Sequence, residues 1–313
     1  MKKIRLWNGA EISTFTVNTI LGVSGLARFP LLYNPLYWLF VLVVIATKTT
    51  RHTKSSTFLR KKGNVVDYKP WTFFRFVKKI EKDGLVNCFG LTNPGVKICS
   101  IYNKFASMFG GTLIINYCPD FQFGLQKAIE QAKETVQVYH KRLSKRFLVF
   151  EIDASCPNSN GNILINTENI LILLEKLLPL CHKYGIAVIL KLGIEHSYEF
   201  SKKALALGID GFHAINTVPW NIVMKTKKSP LSDFNKGEGG VSGRPIRNIS
   251  YQYCENLRAM LGNDVLIIYG GGILNYSDAE KFRKIGGKSA ITACTWTRIN
   301  IWSEIKCLWH YNK

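Results

Sequence analysis

Two glycine runs, Gly239-Gly240-Val241-Ser242-Gly243 and Gly270-Gly271-Gly272-Ile273, are where residue type and spacing first suggest chemistry. Glycine lets the main chain adopt positive φ and approach a ligand closely, so such runs can gather backbone N–H groups around an anion; equally, they can make a tight turn. A second set of candidates follows short apolar runs: Ser24-Gly25, Lys48-Thr49, Asn116, Ser155-Cys156-Pro157-Asn158, Lys191, Asn216-Thr217 and Thr295. Singly, each is an ordinary loop or capping residue. Brought together, they would line one polar pocket. Metal chemistry finds no support, because the eight cysteines form no CxxC pair and the six histidines stand singly, without HExxH spacing. The cysteines read as reduced thiols of a cytosolic protein.

The elements that would position these residues are apolar β-branched runs alternating with amphipathic helical stretches, the pattern of a parallel sheet built from βα units. Strands are expected at 16–23, 43–49, 112–116, 147–154, 187–192, 211–217, 265–270 and 289–295. Helices are expected at 123–145, 169–184, 197–207, 246–261, 277–285 and 299–309. Eight such units imply an α/β fold, a (β/α)8 TIM barrel, in which ligands bind at the C-terminal strand ends and phosphates often sit by the last two strands. All the polar candidates fall at those ends. No linker or charge block divides the chain, so residues 1–313 are read as one domain with excursions at 54–70 and 218–240.

The composition sets the outer limits. Forty-two Lys and Arg against 21 Asp and Glu give a net charge of +21, which favours anionic partners; a lysine-rich solvated surface accounts for it more simply than a nucleic-acid face. After Met1-Lys2-Lys3 the chain meets polar Asn8, Glu11 and Ser13 where a signal peptide would be apolar. The apolar run at 35–46 falls short of the ~20 residues a membrane helix needs. A cytoplasmic protein without a membrane partner is expected.

The motifs, taken in order, carry a resemblance. Asp153-Ala154-Ser155-Cys156-Pro157-Asn158 resembles the N-x-S-C-P-N motif of class 1 dihydroorotate dehydrogenases, and the run Asn87-Cys88-Phe89-Gly90-Leu91-Thr92-Asn93-Pro94-Gly95 resembles their N-x-M-G-L-x-N-x-G substrate lid. Thr47-Lys48-Thr49 is similar to the family's T-K-T, Leu190-Lys191-Leu192 to its V-K-L and Asn216-Thr217 to its N-T. Gly240-Val241-Ser242-Gly243 resembles the G-L-S-G phosphate loop, and Gly271-Gly272-Ile273 the G-G-I. The matches keep their order from Ser24 to Thr295, and their specificity lies in the set.

The resemblance implies an FMN-containing barrel that oxidises (S)-dihydroorotate to orotate. Cys156 would be the base that takes the C5 proton while a hydride leaves C6; its thiol, with an ordinary pKa of ~8.5, needs a polar or cationic surround. Lys48 would supply positive charge near flavin and substrate, and Lys191 would face the developing charge on the ring. Asn87, Asn158 and Asn216 would offer amide donors and acceptors to the substrate, with Phe89, Gly90, Leu91, Asp153 and Thr217 around it. Ser24, Gly25, Thr49, Asn116, Asp153, Ile215 and Thr217 would line the flavin ring and ribityl chain. Gly243, Gly271, Gly272, Cys294 and Thr295 would hold the phosphate.

Three positions depart from the family pattern. Asp153 stands for an asparagine, Cys294 for a glycine and Phe89 for a methionine. An ionised Asp153 would repel an orotate carboxylate. The cysteine base and the early first strand imply the soluble class, either a homodimer using fumarate or a subunit paired with an iron–sulfur/FAD protein and using NAD, toward which Asn116 leans. Two other readings stay open: an RNA-modifying flavin barrel of the tRNA-dihydrouridine synthase type, and a non-catalytic flavin-binding homologue.

Overall fold

The computed structural model describes residues 3–18, 45–46, 60–61, 64–65, 77–88, 95–108, 113–155, 163–233 and 239–294. The chain opens with a hairpin, β1 (Lys3–Arg5) and β2 (Glu11–Ser13), then enters the barrel at β3 (Phe15–Asn18) and β4 (Ile45–Ala46). A small hairpin follows, β5 (Arg60–Lys61) and β6 (Asn64–Val65), then β7 (Val77–Ile80), β8 (Gly84–Asn87) and helix α1 (Val96–Met108). Next come β9 (Leu113–Tyr117), α2 (Leu125–Leu143), β10 (Val149–Asp153), α3 (Ile163–Lys183), β11 (Ala187–Leu192), α4 (Tyr198–Ala206) and β12 (Gly211–Ala214). The last stretch holds β13 (Val218–Pro219), α5 (Trp220–Met224), β14 (Gly240–Gly243), α6 (Arg247–Leu261), β15 (Leu266–Tyr269), α7 (Tyr276–Arg283) and β16 (Ser289–Cys294).

Eight strands close a parallel barrel in the order β10-β11-β12-β15-β16-β3-β4-β9. Each lies within or beside a run expected from sequence, because strands buried on both faces read as near-continuous apolar segments. Five of the six expected helices are found at α2, α3, α4, α6 and α7. The sixth, at 299–309, lies outside the described residues. The sequence did not announce α1, the opening hairpin or the excursion strands.

Period-two alternation sorts the strand residues. Phe150 and Ile152 of β10, Val188 and Leu190 of β11, and Ile267 and Tyr269 of β15 pack outward with Leu173, Leu177 and Leu257 of the helices. Val149, Ala187, Ile189, Leu266, Ile268 and Ala290 pack inward, where Leu6, Ala10 and Ile12 of the opening hairpin join them and plug the N-terminal end of the barrel. Asn8, in the hairpin turn, donates to the carbonyls of Leu148 and Gly185, both at 2.8 Å, and fixes the plug to the loops entering β10 and β11.

The excursions are partly built, and the Gly240–Gly243 run expected as a loop is a strand. It joins an antiparallel sheet of order β13-β14-β8-β7, with Gly240 opposite Asn87 and Gly243 opposite Gly84. This sheet holds Asn87 against the first glycine run. No helix among the described residues is long and apolar enough to cross a membrane.

Candidate active site

At the C-terminal ends of β10 and β11, Asp153 and Lys191 are register partners on the inward face. Their side chains are 2% and 14% exposed and meet at 3.5 Å, Nζ to Oδ2. The other carboxylate oxygen accepts from the Ser155 N–H at 3.1 Å and the Ser155 hydroxyl at 2.9 Å. Asp153 therefore directs its acceptors at its own chain: one oxygen fixes Ser155 and the other holds a lysine. Asn216 joins them, its side-chain N–H donating to the Ser155 carbonyl at 3.2 Å and its backbone N–H to Leu192 O at 2.8 Å. Thr217 follows it, half-buried.

Deeper in the barrel the inward positions are charged as well. Glu151, two residues before Asp153, accepts from the Asn116 amide at 2.5 Å and meets His213 Nδ1 at 2.7 Å. Burial pushes the Glu151 carboxyl up, but His213, Lys191 and Asn116 outweigh it and hold the group below the usual carboxylate range. Asn116, expected at the cofactor, thus has its amide N–H on Glu151. Sequence reasoning missed Glu151 and took His213 for a solitary histidine. The signal was available: alternation puts Glu151 on the face of Asp153, and His213 is the register partner of Lys191.

Beside the pair, Gly193 is tightly framed. A Cβ there would come 3.0 Å from Glu195 Oε2 and 3.2 Å from Ser155 Cβ. Burial raises the Glu195 carboxyl pKa. His196 takes the Gly193 N–H on Nδ1 at 2.9 Å, which leaves its proton on Nε2, and burial lowers its pKa against the opposing effects of Gly193 and Asp153. Neither residue was expected from sequence.

The glycines form the other wall. Gly243, Gly271 and Gly272 have φ of 88°, 100° and 78°. A Cβ on Gly243 would collide with the Asp83 carbonyl, one on Gly271 with the Ser250 hydroxyl, and one on Gly272 would lie 2.8 Å from the backbone N of Arg247. Gly271 and Gly272 thus lie on the first turn of α6, whose N–H groups and dipole favour an anion. Arg247 donates from Nε to Gly272 O at 3.0 Å and from Nη2 to Asp278 at 2.7 Å, fixing that corner. Ile215 is buried against Gly271. Cys294 ends β16 as the register partner of Asn18. Asn87 donates to Gly240 O at 3.2 Å. Positive-φ glycines at a helix N-terminus, a lysine at a strand end and an adjacent amide form a donor set suited to a phosphate-bearing, electron-rich cofactor such as FMN. Ser24, Gly25, Lys48, Thr49, Phe89, Gly90, Leu91, Cys156, Asn158 and Thr295 lie outside the described residues.

Fold and site together define a class: a closed (β/α)8 barrel with a charged strand-end pocket and a glycine-lined anion corner. The family model described as dihydroorotate dehydrogenase matches residues 45–306. Over 215 residues the chain is 30% identical to a dihydroorotate dehydrogenase A (fumarate) of Lactobacillus helveticus, covering 67% of this chain and 66% of that one. Over 218 residues it is 27% identical to a putative dihydroorotate dehydrogenase A (fumarate) of Aquifex aeolicus, covering 68% and 66%. A quinone-type dihydroorotate dehydrogenase of Polynucleobacter necessarius is 26% identical over 220 residues, covering 66% and 61%. These matches span just under two thirds of each relative's length. Among solved structures, a ligand-free dihydroorotate dehydrogenase from Eimeria tenella superposes with a TM-score of 0.70 at 17% identity, covering 99% of this chain and 85% of that one, a likeness of fold. The chain belongs to the dihydroorotate dehydrogenase family, whose enzymes use FMN.

Proposed function

We propose that the protein oxidises (S)-dihydroorotate to orotate with bound FMN, as a soluble class 1 enzyme with Cys156 as the base. The observation that carries this reading is the placement of Lys191, Asp153, Ser155 and Asn216 at adjoining strand ends, with the glycine corner on α6. FMN supplies the hydride acceptor. The chain's residues do the rest. Gly243, Gly271, Gly272, Cys294 and Thr295 hold the phosphate, while Ser24, Gly25, Thr49 and Ile215 line the ring and ribityl chain. Lys48 and Lys191 oppose negative charge that develops as the hydride leaves. Asn87, Asn158 and Asn216 orient the substrate's carboxylate and cyclic amides, and Phe89, Gly90 and Leu91 close over it. Cys156 receives the C5 proton on its sulfur. Asp153 acts through its neighbours: it fixes the Ser155 turn that leads into Cys156, and it holds Lys191. On the same reading the chain is one cytoplasmic domain whose ligand is a small molecule and not nucleic acid. It assembles with a second copy of itself, or with an iron–sulfur/FAD subunit if NAD is the acceptor.

The test is the visible spectrum before and after anaerobic addition of dihydroorotate. The protein should purify yellow and bleach on addition, and Cys156→Ala should keep its flavin while bleaching ~10²–10⁴-fold more slowly. A colourless protein that takes up no FMN ends this reading. A Cys156→Ala rate within a few-fold of the parent removes Cys156 as the base.

A further inference from the structure

Beneath the Asp153–Lys191 pair, the barrel interior holds a charged group that the proposed reaction does not use. Barrel interiors are ordinarily filled with branched apolar side chains, and a buried carboxylate costs several kcal/mol unless it is well paired. Here Glu151 and His213 are 1% and 2% exposed and in contact at 2.7 Å. With Glu151 ionised, only an Nδ1–H can bond it, so Nε2 is the ring nitrogen left to take a further proton. Nε2 lies 3.6 Å from the point a Cβ would occupy on Gly270, an inward position with no side chain to cover it, immediately before the Gly271-Gly272 corner. At the same glycine, Thr292 lies on β16, its buried hydroxyl without a hydrogen-bond partner among the described residues.

The charge count gives the pair its meaning. β10 brings Glu151 and Asp153, and β11 brings Lys191. β9 and β16 bring uncharged Asn116 and Thr292, and β15 brings Ile268 and Gly270. Outside β12, α6 brings Cys254, whose thiol burial pushes up to about 12 and so keeps neutral. Among the described residues of these elements, Glu151 and Asp153 against Lys191 leave one net negative charge while His213 is neutral and none once it is protonated. On the proposed function Lys48 adds a fixed positive charge, so the charge that changes is the one gained in the pocket above, and that gain favours a proton on His213, the register partner of Lys191.

We propose that His213, oriented by Glu151, takes up one solvent proton at Nε2 when the cofactor is reduced and releases it on reoxidation, so that the pair compensates charge beneath the site. The hydride comes from the substrate's C6, the C5 proton goes to the base, and the proton on His213 comes from water; no further reactant enters. This inference rests on the FMN reading above.

The experiment uses ¹⁵N-histidine-labelled holoprotein at one fixed, mildly alkaline pH, with the His213 ring signals assigned through bonds in the parent. In the oxidised protein they should report the neutral Nδ1–H ring, and on anaerobic reduction both nitrogens should move to imidazolium values. His213 signals that stay put while the flavin bleaches overturn the proposal and leave the FMN reading standing. Absence of flavin absorbance before any reduction overturns both. A second readout is the midpoint potential against pH: one extra proton per two electrons adds ~30 mV per pH unit. The parent should show this added slope, His213→Asn should lack it, and Glu151→Gln should confine it to lower pH. A His213→Asn profile that superimposes on the parent's also overturns the proposal.

Discussion

Asp153 is the residue whose chemistry the structure changes most. Read from sequence alone it is a misplaced negative charge; in the fold its oxygens are engaged by Ser155 and Lys191. Asp153→Asn removes that charge and leaves the lysine unneutralised. Orotate binding, followed by the flavin spectrum, should then equal the parent's or tighten by up to about tenfold, roughly 1.4 kcal/mol. The pH dependence of flavin reduction should move toward lower pH, because a negative charge three residues before the proposed base is gone. Weaker binding with an unchanged profile would make the carboxylate a requirement of the site. His196 yields a second prediction at this scale. Burial lowers its pKa, so the unfolded chain takes up a proton near the ordinary value of 6.5 while the folded protein does not. Its contribution to stability is thus complete above pH 6.5 and is lost as pH falls below it. His196→Asn keeps an acceptor for the Gly193 N–H, and urea unfolding from about pH 5 to 8 should show a flatter acid limb than the parent's.

At the scale of elements, the eight barrel strands were legible as apolar runs, which in β9, β10, β11, β12 and β15 are buried along nearly their whole length, and the strand ends located the pocket with them. The antiparallel sheet was not legible. β8 and β14 are four residues each, rich in glycine, and pair across more than 150 residues of chain, so neither carries an alternation that could be told from loop. The interior pair Glu151–His213 was hidden for a related reason: one polar residue in an apolar run reads as an edge or an error until its partner from another strand is known. The sheet makes its own prediction. Gly243→Ala would place a methyl against the Asp83 carbonyl at φ 88°, straining the β8–β14 ladder by roughly 1–3 kcal/mol. Gly185→Ala, at φ 68° in open space, should cost about 1–2 kcal/mol from backbone conformation alone. Thermal unfolding should register both, whereas flavin dissociation should quicken only for Gly243→Ala; equal flavin retention would detach Gly243 from the phosphate corner.

For the whole molecule, the barrel separates a stabilising end from a working end. Ile12, fully buried in the hairpin plug, lies at the opposite mouth from Lys191. Ile12→Ala should therefore cost about 2–5 kcal/mol in urea unfolding and leave FMN affinity within a few-fold. A large loss of flavin binding would mean that the plug shapes the pocket. Closure of the barrel has a further consequence, which concerns the order of synthesis. β3 is completed on one side by β16, Phe15 beside Ile291 and Asn18 beside Cys294. At ~5–20 residues per second, a ribosome delivers the second of these strands roughly 15–55 s after the first. Throughout that interval the growing parallel sheet has open edges, which in other chains invite pairing between molecules. Glu151 and Asp153 on β10, Lys191 on β11 and His213 on β12 each stand on the growing edge until the next strand is added, and inward charge and polarity is one of the devices by which exposed strands resist such pairing. The residues that furnish the pocket in the finished barrel thus guard the growing edge of the nascent sheet.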